Sequence, residues 1–384
     1  MTEETKRIKA NPIVLKWARE CLMINETRAT ELLKMSFDYL NQLETGTINP
    51  TIEDLKSMSK AYKRTIANLL LDSTPIEKSL PKDCRTIESS KIGFFNEKTI
   101  MAVRKARALT SSLLELNQEL NISIPSFIWK ASVKDDPKKL GIFFRDLLGL
   151  SEILTKENHN QFLDTCIDKL EKKGIAIFQL SLTQDGLRGF SLIDESIPVI
   201  IIKRGSELPS AKIFTLFHEL GHILLSDGAL CNIALIQNES MIEQWCNMFA
   251  AELLVPTTLL LSHDIIAQNE NKNVWNRKEL FELANLFHVS PIVILRRLLT
   301  LGRTTPEFYK EQHEKYNKPQ FGRSKEPEGR NLPKEVLKER GRNYLSLVFK
   351  AYDSNKIDLK DMADYLGLKL SYIPKTRELF NAWT

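Results

Sequence analysis

"FTLFHELGHILL", residues 214–225, sets two histidines and a glutamate inside a stretch that otherwise reads as hydrophobic core. On a helix, His218 and His222 leave from one face a single turn apart, close enough to grip one ion, and Glu219 projects beside them. Ile213, Phe214, Leu216, Phe217, Leu220, Ile223 and Leu224 take up nearly all the remaining circumference, so this helix is expected to be buried. Burying even a neutral polar group without a partner costs roughly 2 to 7 kcal/mol, and a lone carboxylate more. A divalent cation supplies the compensation. Imidazole and carboxylate donors suit zinc, and a catalytic zinc keeps three protein ligands with the fourth position left to water.

The third ligand is expected from a second buried helix, "MIEQWCNMFAAELLV" at 241–255, which stops at Pro256. Glu239, Glu243, Glu252 and Cys231 are the available donors after the motif. Glu243 is selected: it lies in the apolar run, whereas Glu239 sits in a polar turn and Glu252 faces away from Glu243. Asn247 follows one turn later on the same face, placed to hold the free nitrogen of a ligand histidine. Gly221 on the first helix and Ala250 and Ala251 on the second permit the two to approach closely. His263 and His288 read as ordinary, partly exposed side chains with no catalytic role.

Upstream, "GIAIFQL", "LRGFSLI" and "PVIIIK" read as three strands joined by short polar connections, which favour an antiparallel meander. Val199 to Ile202 is the strand expected to lie beside an extended substrate. Helices are expected before the strands, in "NEKTIMAVRKARALTSSLLELNQEL" and "NQFLDTCIDKLEKKG". Residues 93–303 form one domain on this reading, 304–334 a polar, Pro- and Gly-containing linker, and 335–384 a C-terminal helical segment.

The N-terminal part, residues 11–78, breaks into five short amphipathic pieces. Ser36 caps the third, Gly46 closes it, and Thr51 with Asp54 makes a capping box for the fourth. Five short helices with tight turns suggest a helix-turn-helix bundle. The fold class expected for the whole chain is therefore α+β, an all-α bundle followed by helices around a small three-stranded sheet and a helical tail.

Composition narrows the partners. At 384 residues the chain is long enough for two or three domains, each with its own core. No apolar run is long enough to span a bilayer and the N-terminus is charged, so a soluble, cytoplasmic chain without a membrane partner is expected. Five scattered cysteines with no C-x-x-C pair suggest free thiols. A net charge of +5 does not announce a nucleic-acid binder. Between Asn11 and Asp72, eight basic residues face eight acidic ones, a poor electrostatic footprint for duplex DNA. A modest excess of Lys and Arg between Lys315 and Arg342 reads as a solvated linker.

Two resemblances add to these readings. "LLKMSFDYLNQLETGTINPTIEDLKSMSKAYKR" resembles the XRE (phage repressor and Cro) type of helix-turn-helix, with "SFDYLNQLETG" in the recognition-helix slot. That likeness implies DNA or partner contacts from Ser36, Tyr39, Asn41 and Gln42. "LRGFSLIDESIPVIIIKRGSELPSAKIFTLFHELGHILL" followed by "EQWCNMFAAELLVP" resembles the ImmA/IrrE family of zinc metallo-endopeptidases, whose members often carry an XRE domain. The resemblance implies that His218, His222 and Glu243 hold Zn2+, that Glu219 is the catalytic acid and base, and that Asn247 supports the ligands. It also implies a protein substrate of the repressor or antitoxin type, cut to switch on genes. The rival expectation is a regulator or antitoxin-like protein that binds DNA or a protein through a retired peptidase fold and does not cut.

Overall fold

In the computed structural model, asparagine, serine and threonine side chains open the first five helices. The described residues are 6–78, 80, 96–150, 157–183, 187–193, 195–205, 207–225, 237–269, 272–317 and 331–383. The chain divides into two units, residues 1–104 with 183–185, and residues 105–182 with 186–384.

The first unit holds α1 (Pro12–Glu20), α2 (Glu26–Leu33), α3 (Phe37–Thr45), α4 (Ile52–Tyr62) and α5 (Ile66–Leu69). Asn11, Asn25, Ser36, Thr51 and Thr65 each accept a first-turn N–H, and Thr51 with Asp54 closes the expected capping box. Gly46 ends α3 at φ 79°, and a methyl group there would sit 3.0 Å from Pro12 Cγ, so glycine is required on both counts. Leu15, Ala18, Leu40, Leu43, Leu55, Met58, Tyr62 and Leu69 fill the centre of the bundle. Arg19, also buried, reaches both carboxylate oxygens of Glu44 at 2.7 Å, which ties α1 to α3.

α6 (Glu97–Glu119) contains the division between the units. The second unit continues with α7 (Pro137–Leu147), α8 (His159–Glu171), β1 (Ala176–Leu180), β2 (Gly189–Leu192), β3 (Val199–Lys203), α9 (Pro209–Leu225) and α10 (Gln237–Leu254). The three strands expected from sequence are present, but their order is β1-β3-β2, with β1 parallel to β3 and β2 antiparallel to it. This corrects the antiparallel meander. β3 is four consecutive hydrophobic residues and a lysine, buried on both faces, and so it takes the centre, where both edges and both faces are covered. It also rules out β3 as the strand beside a substrate, because its edges are already paired with Ala176–Leu180 and Gly189–Leu192.

Ile177, Ile200 and Ile202 meet Leu216, Phe217 and Leu220 of α9 in one continuous core. On this core α9 packs on α10, and Gly141 of α7 lies so close to α10 that a methyl group would stand 2.9 Å from Phe249 O. Beyond α10 come α11 (Thr257–Ser262), α12 (Asp264–Ala267), α13 (Arg277–Leu286), α14 (Pro291–Thr300) and α15 (Pro306–Asn317). α15 falls in the stretch expected to be a linker: Phe308, Tyr309 and Tyr316 pack on the core and make residues 306–317 a helix. Residues 318–330 of that stretch lie outside the described ones.

The chain then forms α16 (Leu332–Asp353), α17 (Leu359–Leu366) and α18 (Ile373–Trp383). α16 is broken at Gly341, whose φ of 77° and ψ of 168° are not helical. Tyr344, just past the break, meets the ring of Phe178 edge-on, so the tail packs on the sheet. No single described helix is long and apolar enough to cross a membrane; α13 and α14 together pass by length and composition but bend by 97°, and their apolar residues lie in the core.

Candidate metal centre

α9 carries the deciding residues along one side. Its other sides are buried among core aliphatics and phenylalanines, which fixes the helix and leaves the imidazoles little freedom. His218 Nε2 and His222 Nε2 stand 3.1 Å apart. Glu243 reaches across from α10, with Oε2 3.2 Å from His218 Nε2 and Oε1 3.3 Å from His222 Nε2. His218, His222 and Glu243 are thus a group of donors whose ligand atoms all lie within 4.8 Å of one another.

α10 is held at this position from both sides. Trp245 donates from Nε1 to Asp135 O at 2.8 Å and stacks on Phe249 with ring centroids 5.5 Å apart. Gly221 faces Cys246, where a methyl group would stand 3.0 Å from Sγ. Glu252 points elsewhere, as its spacing implied: it pairs with Arg297 at 2.5 Å and accepts from Thr257. Cys231 and the side chain of Glu239 lie outside the described residues.

The donor set fits zinc. In a tetrahedral site with bonds of about 2.0 to 2.1 Å, neighbouring ligand atoms lie about 3.3 Å apart, close to the separations found here. The electrostatics ask for the same occupant. Burial alone would raise the Glu243 carboxyl, yet hydrogen bonds from His218 and His222 hold it well below the ordinary carboxylate range. Burial alone would lower His222, yet Cys246, Glu243 and the charge of Glu219 raise it well above the ordinary imidazole value.

Glu219 is buried beside the group, with 6% of its surface exposed. β2 runs next to it: a methyl group on Gly189 would lie 3.5 Å from Glu219 Cγ and 2.6 Å from Thr215 Cγ2. The strand beside the candidate catalytic carboxylate is therefore β2, an edge strand.

This region is similar to the IrrE N-terminal-like family. Residues 170–299 match the model of the peptidase M78 family, described as the IrrE N-terminal-like domain, and they contain the whole His218, His222 and Glu243 group. No curated protein matches the chain. The IrrE-like domain is of metallopeptidase type, and its family implies a metal ion where these three side chains meet.

Other expected residues fall differently. Asn247 is exposed, and His218 Nδ1 has no hydrogen-bond partner, so Asn247 does not hold that ring. Cys246, at i+3 from Glu243 on α10, is a further neighbour of His222, at a position whose thiol gave no polar signal in the sequence. His288, expected to be partly exposed, is 3% exposed, stacked on Phe162 and 3.2 Å from His159 Nδ1. His263 caps α12. In the first unit, Ser36 is used as the cap of α3, and Tyr39 donates to Asp54 at 2.8 Å. Asn41 and Gln42 remain exposed on α3.

Proposed function

We propose that the chain is a zinc-dependent endopeptidase that cleaves a regulatory protein of the repressor or antitoxin type. The observation that carries this reading is the convergence of His218, His222 and Glu243 at 3.1 to 3.3 Å with Glu219 buried beside them. His218, His222 and Glu243 would hold the zinc, which when bound supplies Lewis acidity that polarises a peptide carbonyl and brings the pKa of water toward 7.

Glu219 then does the proton work. Its carboxylate takes a proton from the attacking water as the new C–O bond forms, and returns it to the amide nitrogen as the C–N bond breaks and the amine leaves. Seclusion from solvent among the α9 side chains and Gly189 keeps Glu219 beside the reacting atoms. An extended segment of the substrate adds to the outer edge of β2, the edge strand that passes Glu219, through main-chain hydrogen bonds. The helical N-terminal unit, read as an XRE-type helix-turn-helix, recruits the enzyme to its target through DNA or a partner protein.

The test mixes the purified, zinc-loaded protein with the product of the neighbouring gene and follows fragments by mass spectrometry. Glu219→Gln should retain zinc and fold while losing cleavage by about 10²-fold or more. Equal cleavage by wild type and variant would overturn the hydrolytic reading in favour of a regulator that binds without cutting.

A further inference from the structure

The second unit contains a cavity of about 440 Å³ between α8, the start of β1 and the broken helix α16. One wall carries Asp164, Asp168 and Glu171, spaced along α8 so that all three share a face. The facing wall carries Lys338 and Arg342, one turn apart on α16 on either side of Gly341. Trp383 closes one side. It donates to Asp164 Oδ2 at 3.4 Å, while Arg342 donates to its carbonyl at 2.5 Å and lies over its ring.

Opposite charges that face each other ordinarily close into ion pairs. Here, among the described residues, no ion pair crosses from α8 to α16, although Lys338 and Arg342 are near enough to pull down the Asp164 carboxyl against the rise that burial causes. Asp168 is satisfied locally by Lys172 at 2.7 Å. Among the described residues no hydrogen bond or ion pair reaches Glu171, and burial, with the charge of Asp168 behind it, pushes its carboxyl up to about 8. The two walls meet at Gly341, where a methyl group would stand 3.8 Å from Glu171 Oε1, yet Glu171 is not paired with Lys338 or Arg342 on either side of it. Among the described residues the three carboxylates do not gather their oxygens on one point as the donors of the metal centre do, so what joins the two walls is larger than a bare ion.

The floor adds a third feature. β1 is an edge strand, and Ile175, Ala176 and Gln179 line the cavity; Ile175 and Ala176 donate their N–H groups to Leu170 O and Pro198 O, which leaves Gln179 as the place where an extended chain could meet the edge. The volume falls within the range of about 300 to 1,000 Å³ that small-ligand sites occupy.

We propose that this cavity binds a short peptide with both termini free, its ammonium group held by Glu171 and its carboxylate by Lys338 and Arg342. The C-terminal helices thereby complete a ligand site on the edge of the same sheet whose far side packs on α9. The site is separate from hydrolysis at Glu219 and stands or falls without it.

The experiment is calorimetric titration of the full-length chain with trialanine, N-acetyl-trialanine and trialanine amide. Trialanine is expected to bind, and each blocked peptide to bind at least about tenfold more weakly. Glu171→Gln should weaken trialanine by about tenfold and leave N-acetyl-trialanine as in wild type, while Lys338→Gln, an exposed position, should weaken trialanine and leave the amide unchanged. Thermal denaturation establishes that both variants fold. No heat of binding with trialanine up to about 10 mM, equal binding of the blocked peptides, or unchanged binding by both variants would each overturn the proposal.

Discussion

Gly221 and Cys246 touch across the helix pair at the metal centre: a methyl group on Gly221 would lie 3.0 Å from Cys246 Sγ, 3.1 Å from its Cβ and 3.2 Å from its Cα. All three atoms sit on or beside the backbone of α10, so nothing there is free to swing away. Gly221→Val should force α9 and α10 apart at the level of His222 and Glu243, destabilising the fold by about 1 to 3 kcal/mol and reducing zinc content. Thermal denaturation and metal analysis of the variant check this, and unchanged values in both would remove the close helix contact from the account.

Zinc should raise the melting temperature, and the rise should grow with pH. In the metal-free protein the His222 imidazole is raised above its ordinary value, so the stability it contributes is present at low pH and is lost as pH rises through the folded value. Zinc needs the neutral imidazole, so acid opposes binding and alkali favours it. At a free zinc concentration 100 times the dissociation constant, the stabilisation should reach about 2.7 kcal/mol. Melting curves with zinc and with a chelator across pH 5 to 8.5, about the range that histidine spans, measure it.

Glu171 makes a separate pH prediction. Its carboxyl is raised from 4.5 to about 8 by burial and by Asp168, so the folded chain holds a proton that the unfolded chain has released. Stability must then fall as pH rises from near the unfolded value to about 8. Glu171→Gln removes that decline and should exceed wild type by about 2 to 4 kcal/mol at the alkaline end, with little difference at pH 4.5. Denaturant unfolding of both proteins at the two ends decides it; parallel curves would contradict the raised carboxyl.

Between Asn11 and Asp72, the balance of eight basic against eight acidic residues predicts a shallow salt dependence. With Ser36 capping α3 and Tyr39 bonded to Asp54, only Asn41 and Gln42 of the four expected contact residues are unengaged. Titration of duplex DNA at two salt concentrations should give weak binding that changes little between them. A steep loss of affinity with salt would show that Lys and Arg outside α3 make phosphate contacts that the charge balance conceals.

The sequence was most legible where local chemistry decides. Caps at Ser36 and Thr51, the buried α9 and the pairing of Glu243 with both imidazoles follow from spacing and polarity alone. Strand order was not legible, because "PVIIIK" records burial but not which neighbours provide it, and a parallel pairing of β1 with β3 leaves no trace in the short connections. Cys246 escaped for a related reason: a thiol in an apolar run looks like packing until the facing helix shows that His222 is its neighbour. α15 was hidden by its many charges, since three aromatic residues are enough to dock a helix whose other faces are solvated.

X-ray absorption at the zinc edge of the loaded protein tests the central claim most directly. The account predicts one zinc per chain with two imidazole nitrogens and only oxygen otherwise, at about 2.0 to 2.1 Å, and the loss of that spectrum in His222→Ala. A sulfur scatterer at about 2.3 Å, or an unchanged spectrum after His222→Ala, would contradict it.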